Sequence, residues 1–196
     1  MAIQFIPYPQ GLWRVVARVP LYLYQGGLGW MLRPFNLLIL TTQGRRTGKP
    51  RHAVLEYRRH GSKLYLVSAW GERPQWYKNL LANPAVTVQF NGRDWKAVAA
   101  EVDDSGEALR ALYMFKRTSP VYDVILASMS SADTIDLRTL KAVSSEFTVI
   151  RLDLVSGPVS LKGVQPKYRW IAPLLFAVAL LAMVWTVWAR LNHKES

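Results

Sequence analysis

The sequence predicts an α+β fold: about six mainly antiparallel strands closing, or nearly closing, into a barrel with flanking helices, followed by one C-terminal transmembrane helix. Three observations lead there. Between Asn36 and Val102 short β-branched runs alternate with turn residues, the pattern of antiparallel sheet. Pro and Asp residues placed as helix starts interrupt and follow those runs. From Trp170 to Ala189 twenty residues run without a charge, about 30 Å of helix at about 1.5 Å per residue, which matches a bilayer core.

Taken in order, residues 1–35 form an apolar helical segment. Leu12 to Tyr24 is broken by Arg14, Arg18 and Pro20, and no small-residue cleavage site follows a continuous apolar stretch, so it does not read as a signal peptide. Arg14 and Arg18 share one helix face while Leu12, Val15, Val16 and Val19 take the other, as in a helix lying on a membrane or over the barrel. The barrel domain covers 36–156. Its expected strands are Leu37 to Thr42, His52 to Arg58, Lys63 to Ser68, Val86 to Phe90, Asp94 to Val102 and Glu146 to Leu154. His60-Gly61 closes one hairpin, and Asn91-Gly92 closes another through the dipeptide favoured in type I′ turns. A helix starts at Pro74, carries Trp76, Tyr77, Leu80 and Leu81 at helical spacing, and ends at Asn83-Pro84. A helical insert opens at Asp104 with Glu107 in capping-box spacing and restarts at Ser119-Pro120 and at Asp133 with Asp136. A Gly/Pro/Lys linker, 157–169, leads to the transmembrane helix at 170–189 and a short tail at 190–196. Trp170, Trp185 and Trp188 near the ends of the span, with Lys167, Arg169, Arg190 and Lys194 around it, form an aromatic belt with snorkelling flanks. No internal repeat is present.

Composition narrows the function. A chain of 196 residues has room for one domain and an appendage. The absence of cysteine removes disulfides, thiolate metal sites and cysteine nucleophiles. His52, His60 and His193 show no metal-ligand spacing with carboxylates, so no metal site is expected. A net charge of +12 calls for an acidic partner: anionic lipid, a small polyanionic ligand or nucleic acid.

The densest chemistry is the loop Thr41 to Arg51, TTQGRRTGKPR. It sets Arg45, Arg46, Lys49 and Arg51 around Gly44 and Gly48, where backbone N–H groups and guanidinium forks can take phosphate. It is not a Walker loop, because the glycine spacing is one residue short and Pro50 stands where a Ser or Thr would meet magnesium. A solvated basic turn, or one touching lipid, is the plain alternative. The second feature, Ser68 to Leu80, carries Trp70, Trp76 and Tyr77 beside a helix start, where aromatics either stack on a flat heterocycle or fill core.

These motifs, TTQGRRTGKPR, then VSAWG, then WYKNLLANPAVTVQ and the NGR turn, resemble the deazaflavin-dependent nitroreductase family of split β-barrel flavin and deazaflavin oxidoreductases. The likeness spans about residues 36 to 102, with an echo near residue 150. It implies an oxidoreductase using coenzyme F420, with FMN as the alternative cofactor. By position, Arg45, Arg46, Lys49 and Arg51 would hold the phosphate and tail, and Val54, Ser68, Ala69, Trp70, Trp76 and Asn79 would border the ring. A hydride would pass to a quinone, an enone or a nitro compound, with Tyr113 or Tyr122 as the hydroxyl that completes protonation. The resemblance departs at WGERPQWY, where the family commonly has a longer turn with a His-Pro pair.

With the apolar run added, the expectation is a membrane-tethered reductase of a lipophilic substrate such as a membrane quinone, with the barrel on the cytoplasmic side and a homodimer as a candidate assembly. The competing expectation is a non-catalytic barrel that binds or senses a flavin, haem or lipid. Nucleic acid is not an expected partner, since no strand interleaves aromatic with basic residues.

Overall fold

The computed structural model describes residues 18–119 apart from 69, together with 122, 147–159, 161–168, 170 and 174. Seven strands form one antiparallel sheet: β1 Leu37–Gln43, β2 Pro50–Glu56, β3 Arg58–His60, β4 Lys63–Ser68, β5 Ala85–Phe90, β6 Arg93–Glu101 and β7 Thr148–Val155. Their order in space is β2-β1-β5-β6-β7-β4-β3. The two edge strands are consecutive in the chain with Tyr57 alone between them, so the sheet curls back on itself as a half-closed barrel.

That bend corrects the expected strand His52 to Arg58, which starts two residues earlier and splits, giving seven strands among the described residues in place of six. The β1 ladder begins at Leu37 opposite Glu56, so beyond Glu56 the chain runs out of partners on β1. The Tyr57 amide donates to the Asn36 carbonyl at 2.9 Å, and Arg58 then pairs with Tyr65 on β4. Asn36 itself takes a left-handed φ of 48°, which turns the preceding 3-10 helix Gly29–Phe35 into β1. The β5–β6 hairpin forms as expected, with positive φ at both Asn91 (51°) and Gly92 (75°).

Alternate side chains fill the barrel. Leu38 and Leu40 meet Leu64, Leu66, Val88 and Leu152 inside, and helix α2, Gln75–Ala82, closes one end with Tyr77 and Leu80. α2 packs on the interior side because its apolar residues recur at i, i+3 and i+4. Each fully buried leucine contributes about 1.5–3 kcal/mol. The opposite face of β4 and β7 is covered by α3, Ser105–Thr118, which lays Ala108, Ala111, Leu112 and Phe115 against Tyr65, Val67 and Val149. Asp104 caps α3, its carboxylate accepting from the Glu107 amide at 2.6 Å. The Glu107 side chain does not return to the cap. It accepts from Tyr65 Oη at 2.6 Å, Lys63 Nζ at 3.1 Å and Arg151 Nη1 at 3.3 Å.

The expected linker is only partly free. Leu161 and Val164 are tied to β5: Thr87 Oγ1 donates to the Leu161 carbonyl at 2.8 Å, and Gln89 exchanges two hydrogen bonds with the Val164 backbone. Gly163 lies so close that a Cβ there would sit 2.4 Å from the Gln89 side chain. The Tyr168 amide then donates to the Gln25 carbonyl at 2.9 Å, joining this segment to helix α1, Val19–Gln25.

Among the described residues no helix is long and apolar enough to cross a membrane. The expected span 170–189, except Trp170 and Leu174, lies outside the described residues. So do the tail 190–196, residues 1–17 and the insert beyond Ser119 apart from Tyr122.

Candidate functional site

The six residues 44–49 connect β1 to β2 at the end of the barrel that α2 closes. The Gly44 amide donates to the Lys49 carbonyl at 2.9 Å and the Gly48 amide to the Gly44 carbonyl at 2.7 Å. A Cβ on Gly44 would stand 3.0 Å from the Lys49 carbonyl oxygen, which explains glycine at this tight closure. Gly48 takes φ +66°, open to glycine without strain.

Arg45 fastens this loop to α2. Its Nη1 and Nη2 donate to Gln75 Oε1, both at 3.1 Å, and Nη1 also donates to Asn79 Oδ1 at 3.1 Å. The Arg45 amide reaches the same Asn79 oxygen at 3.3 Å, and buried Asn79 Nδ2 donates to Thr42 Oγ1 at 3.3 Å. Both partners of the guanidinium are neutral amides, so its charge is held in place without being neutralised. Arg46, Lys49 and Arg51 are exposed, and their side chains make no hydrogen bond or ion pair among the described residues. Pro74 stands at the N-cap of α2 without a side-chain cap, leaving the first amides of that helix without intrahelical partners beside Arg45. Cations and N–H groups without intrahelical partners thus share one edge, an arrangement chemically suited to anions.

His52 adjoins this edge, its Nδ1 at 3.0 Å from Thr41 Oγ1. Burial lowers its pKa below the ordinary 6.5, so at pH 7 the ring is neutral and adds no charge.

The structure separates several of the expected ring-bordering residues. Asn79 and Ser68 are buried, and Ser68 Oγ donates to the Gly71 carbonyl at 2.6 Å, holding the turn that leads to α2. Trp76, partly buried, packs against the interior cluster, edge-on to Tyr77 with ring centroids 6.1 Å apart. Trp70 instead packs against the α3 layer, so the two tryptophans do not form one stacking platform. Val54 follows Arg51 by three residues on β2 and so points to the opposite face. There it lines, with Tyr24, Trp30, Ile39 and Phe90, a cleft of about 410 Å³. Ala69 lies outside the described residues.

The two tyrosines sit on the α3 side of the sheet. Tyr113 is exposed on α3. Tyr122 packs against Phe115 with ring centroids 4.7 Å apart and planes tilted by 51° and donates to the Val67 carbonyl at 3.3 Å, and burial pushes its phenol well above its usual pKa. Neither is hydrogen-bonded to the basic loop among the described residues.

Gln75 was not legible as a loop partner, although its i, i+4 spacing to Asn79 on one helix face was a usable signal. Among the described residues no group of His, Asp and Glu is placed to hold a metal ion.

A profile of the family described as F420H(2)-dependent quinone reductase matches residues 16–136, which contain the loop and α2. An F420H(2)-dependent quinone reductase of Mycobacterium tuberculosis (strain H37Rv) is 35% identical over 68 residues, 33% of this chain and 46% of that protein. A second protein of that strain, named for the same activity, is 38% identical over 81 residues, 40% of this chain and 67% of that protein. A solved F420-H2 dependent reductase shares 21% identity at a TM-score of 0.46, covering 60% of this chain and 93% of that one. For the first three curated relatives the matched stretch is about half of their length, 46% in each.

Proposed function

Since the chain belongs to the F420H(2)-dependent quinone reductase family, we propose that it is an F420-dependent reductase whose acceptor is a lipophilic electrophile, a quinone ahead of an enone or nitro compound. The observation that supports it is the loop that Arg45 locks to Gln75 and Asn79 while Arg46, Lys49 and Arg51 have no partner among the described residues. Unpaired cations on a fixed edge suit a cofactor with a phosphate and a carboxylate-rich tail.

In this reading Arg46, Lys49 and Arg51 hold the anionic tail, and Arg45 sets the loop conformation while adding its own charge. Bound in reduced form, the deazaflavin supplies the hydride, and one further proton converts a quinone to its hydroquinone. Tyr122 has its hydroxyl committed to Val67, which leaves Tyr113 or a water as the proton source. The uncharged run from Trp170 to Ala189 supports attachment to a membrane, with the barrel on the cytoplasmic side where the acceptor and the cofactor meet.

The test is titration of the full chain in detergent with oxidised F420, followed by fluorescence, alongside FMN and a variant carrying Arg46→Ala, Lys49→Ala and Arg51→Ala. Tight F420 binding that the variant loses, with quinone-dependent consumption of F420H2, is the expected result. Binding of FMN alone, or of neither, removes the reading.

A further inference from the structure

Among the described residues, the most exposed aromatic side chains gather on one edge of the fold. Trp30 (61% exposed), Met31 and Phe35 (62%) project from the 3-10 helix, Tyr22 from α1, and Tyr168, Trp170 (62%) and Leu174 from the segment that follows Val164. The two groups adjoin, because the Tyr168 amide bonds to the Gln25 carbonyl and Trp30 and Pro166 line the same cleft. Helix α1 has no buried residue, so this ledge contributes little to the protein's own core. Single exposed apolar side chains are ordinary, whereas a contiguous set marks an interaction surface.

The chain itself indicates what covers the ledge. Twenty uncharged residues begin at Trp170, within the ledge, and are long enough to cross a hydrocarbon core. Arg18 and Lys167 are exposed beside it, suited to anionic headgroups. Aromatic side chains with flanking cations are what the bilayer interface favours.

We propose that this ledge lies in the interface of an anionic lipid bilayer, with Trp30, Met31 and Phe35 among the headgroups and the cleft bounded by Trp30 and Val54 opening toward the membrane. The inference rests on the membrane attachment proposed above and adds which face meets the lipid. An acceptor dissolved in the bilayer then reaches the cleft without crossing water.

The chain contains no cysteine, so Phe35→Cys carries a single environment-sensitive fluorophore at the ledge, and Arg117→Cys, exposed on α3, carries the control. Each full-length variant is reconstituted into phosphatidylcholine/phosphatidylglycerol vesicles with brominated acyl chains. A blue shift and loss of most emission at position 35, with position 117 unchanged, is expected. A position-35 label that stays water-like and unquenched in vesicle-bound protein overturns the proposal. So does a blue shift without bromine quenching that grows with protein density, since a second copy would then cover the ledge. Failure of the protein to float with vesicles removes the attachment reading and this inference together. F420 titration of the same samples reads the reductase assignment separately: quenching without F420 binding leaves the lipid surface standing and removes only that assignment.

Discussion

Two sets of cations in this protein differ in what neutralises them. Arg58, Lys63 and Arg151 each face a carboxylate: Arg58 Nη2 is 2.6 Å from Glu56 Oε1, Lys63 Nζ is 3.1 Å from Glu107, and Arg151 bridges Glu107 at 3.3 Å and Asp153 at 2.9 Å. The guanidinium of Arg58 also lies 4.9 Å from the Phe115 ring centroid, and Ser119 Oγ donates to the second Glu56 oxygen at 3.1 Å. These cations sew β2, β3, β4 and β7 to α3. Arg45, Arg46, Lys49 and Arg51 have no carboxylate at all among the described residues. The same residue types therefore serve as internal fasteners where acids meet them, and where none does among the described residues their charge is left available to the anionic cofactor proposed above.

The largest expected effect comes from leaving a fastener unpaired. Glu56→Ala strands the nearly buried Arg58 charge and is expected to cost about 3–5 kcal/mol in urea unfolding, whereas Glu56→Leu with Arg58→Met costs less, because the pair is then removed as a unit. The loop cations are expected to behave in the opposite way. Lys49→Ala with Arg51→Ala is expected to change stability by less than about 0.5 kcal/mol while weakening F420 binding by about a hundredfold, about 3 kcal/mol, in a fluorescence titration. A stability loss comparable to that of Glu56→Ala would erase the distinction.

Tyr65 sharpens it further. Burial first, and then the hydrogen bond to Glu107, raise its phenol to about 12. The folded state thus favours the neutral phenol, a stabilisation fully present below the ordinary value of 10.0 and lost as pH rises from there through about 12. Glu107 is held below its ordinary 4.5, mainly by the Tyr65 hydroxyl and then by Lys63 and Arg151. Its contribution is present above that value and lost as pH falls through the lowered one. Tyr65→Phe is expected to cost about 1 kcal/mol near pH 7 and to flatten both arms of a plot of stability against pH. The smallest effect is expected at Arg110, 3.9 Å from Asp104 with both side chains largely exposed. Arg110→Ala should cost no more than about 0.5 kcal/mol, and 1 M salt should abolish the difference.

Local signals carried most of the fold. Asn91-Gly92, Pro74 and Asp104 act through backbone geometry within a few residues, and each stands where the sequence puts it. The break at Tyr57 was not legible, since no Gly, Pro, Asn, Asp or Ser marks it between Arg51 and His60. It arises because the β1 ladder stops at Leu37, a fact of pairing between strands. The docking of Leu161 and Val164 onto Thr87 and Gln89 likewise depends on partners more than seventy residues away. For the site, the loop Thr41 to Arg51 was visible as a cluster of charge and glycine. Which of its four cations turns back onto the protein was not, because the Arg45 contact to Asn79 spans 34 positions. Trp70 and Trp76 were read as one aromatic group from their closeness in sequence, but the turn between them sends their side chains into different layers.

The place of β7 in the strand order bears on synthesis. It pairs with β6 on one side and β4 on the other, while β4 arrives about eighty residues earlier. Without Thr148 to Val155 the sheet order leaves two groups of strands, β2-β1-β5-β6 and β4-β3, joined through Tyr57 and each with an unsatisfied border. Emergence of the final strand zips both borders at once, so the late, long-range step decides folding speed. Until then the open borders of β4 and β6 are the segments most exposed to mispairing with another chain.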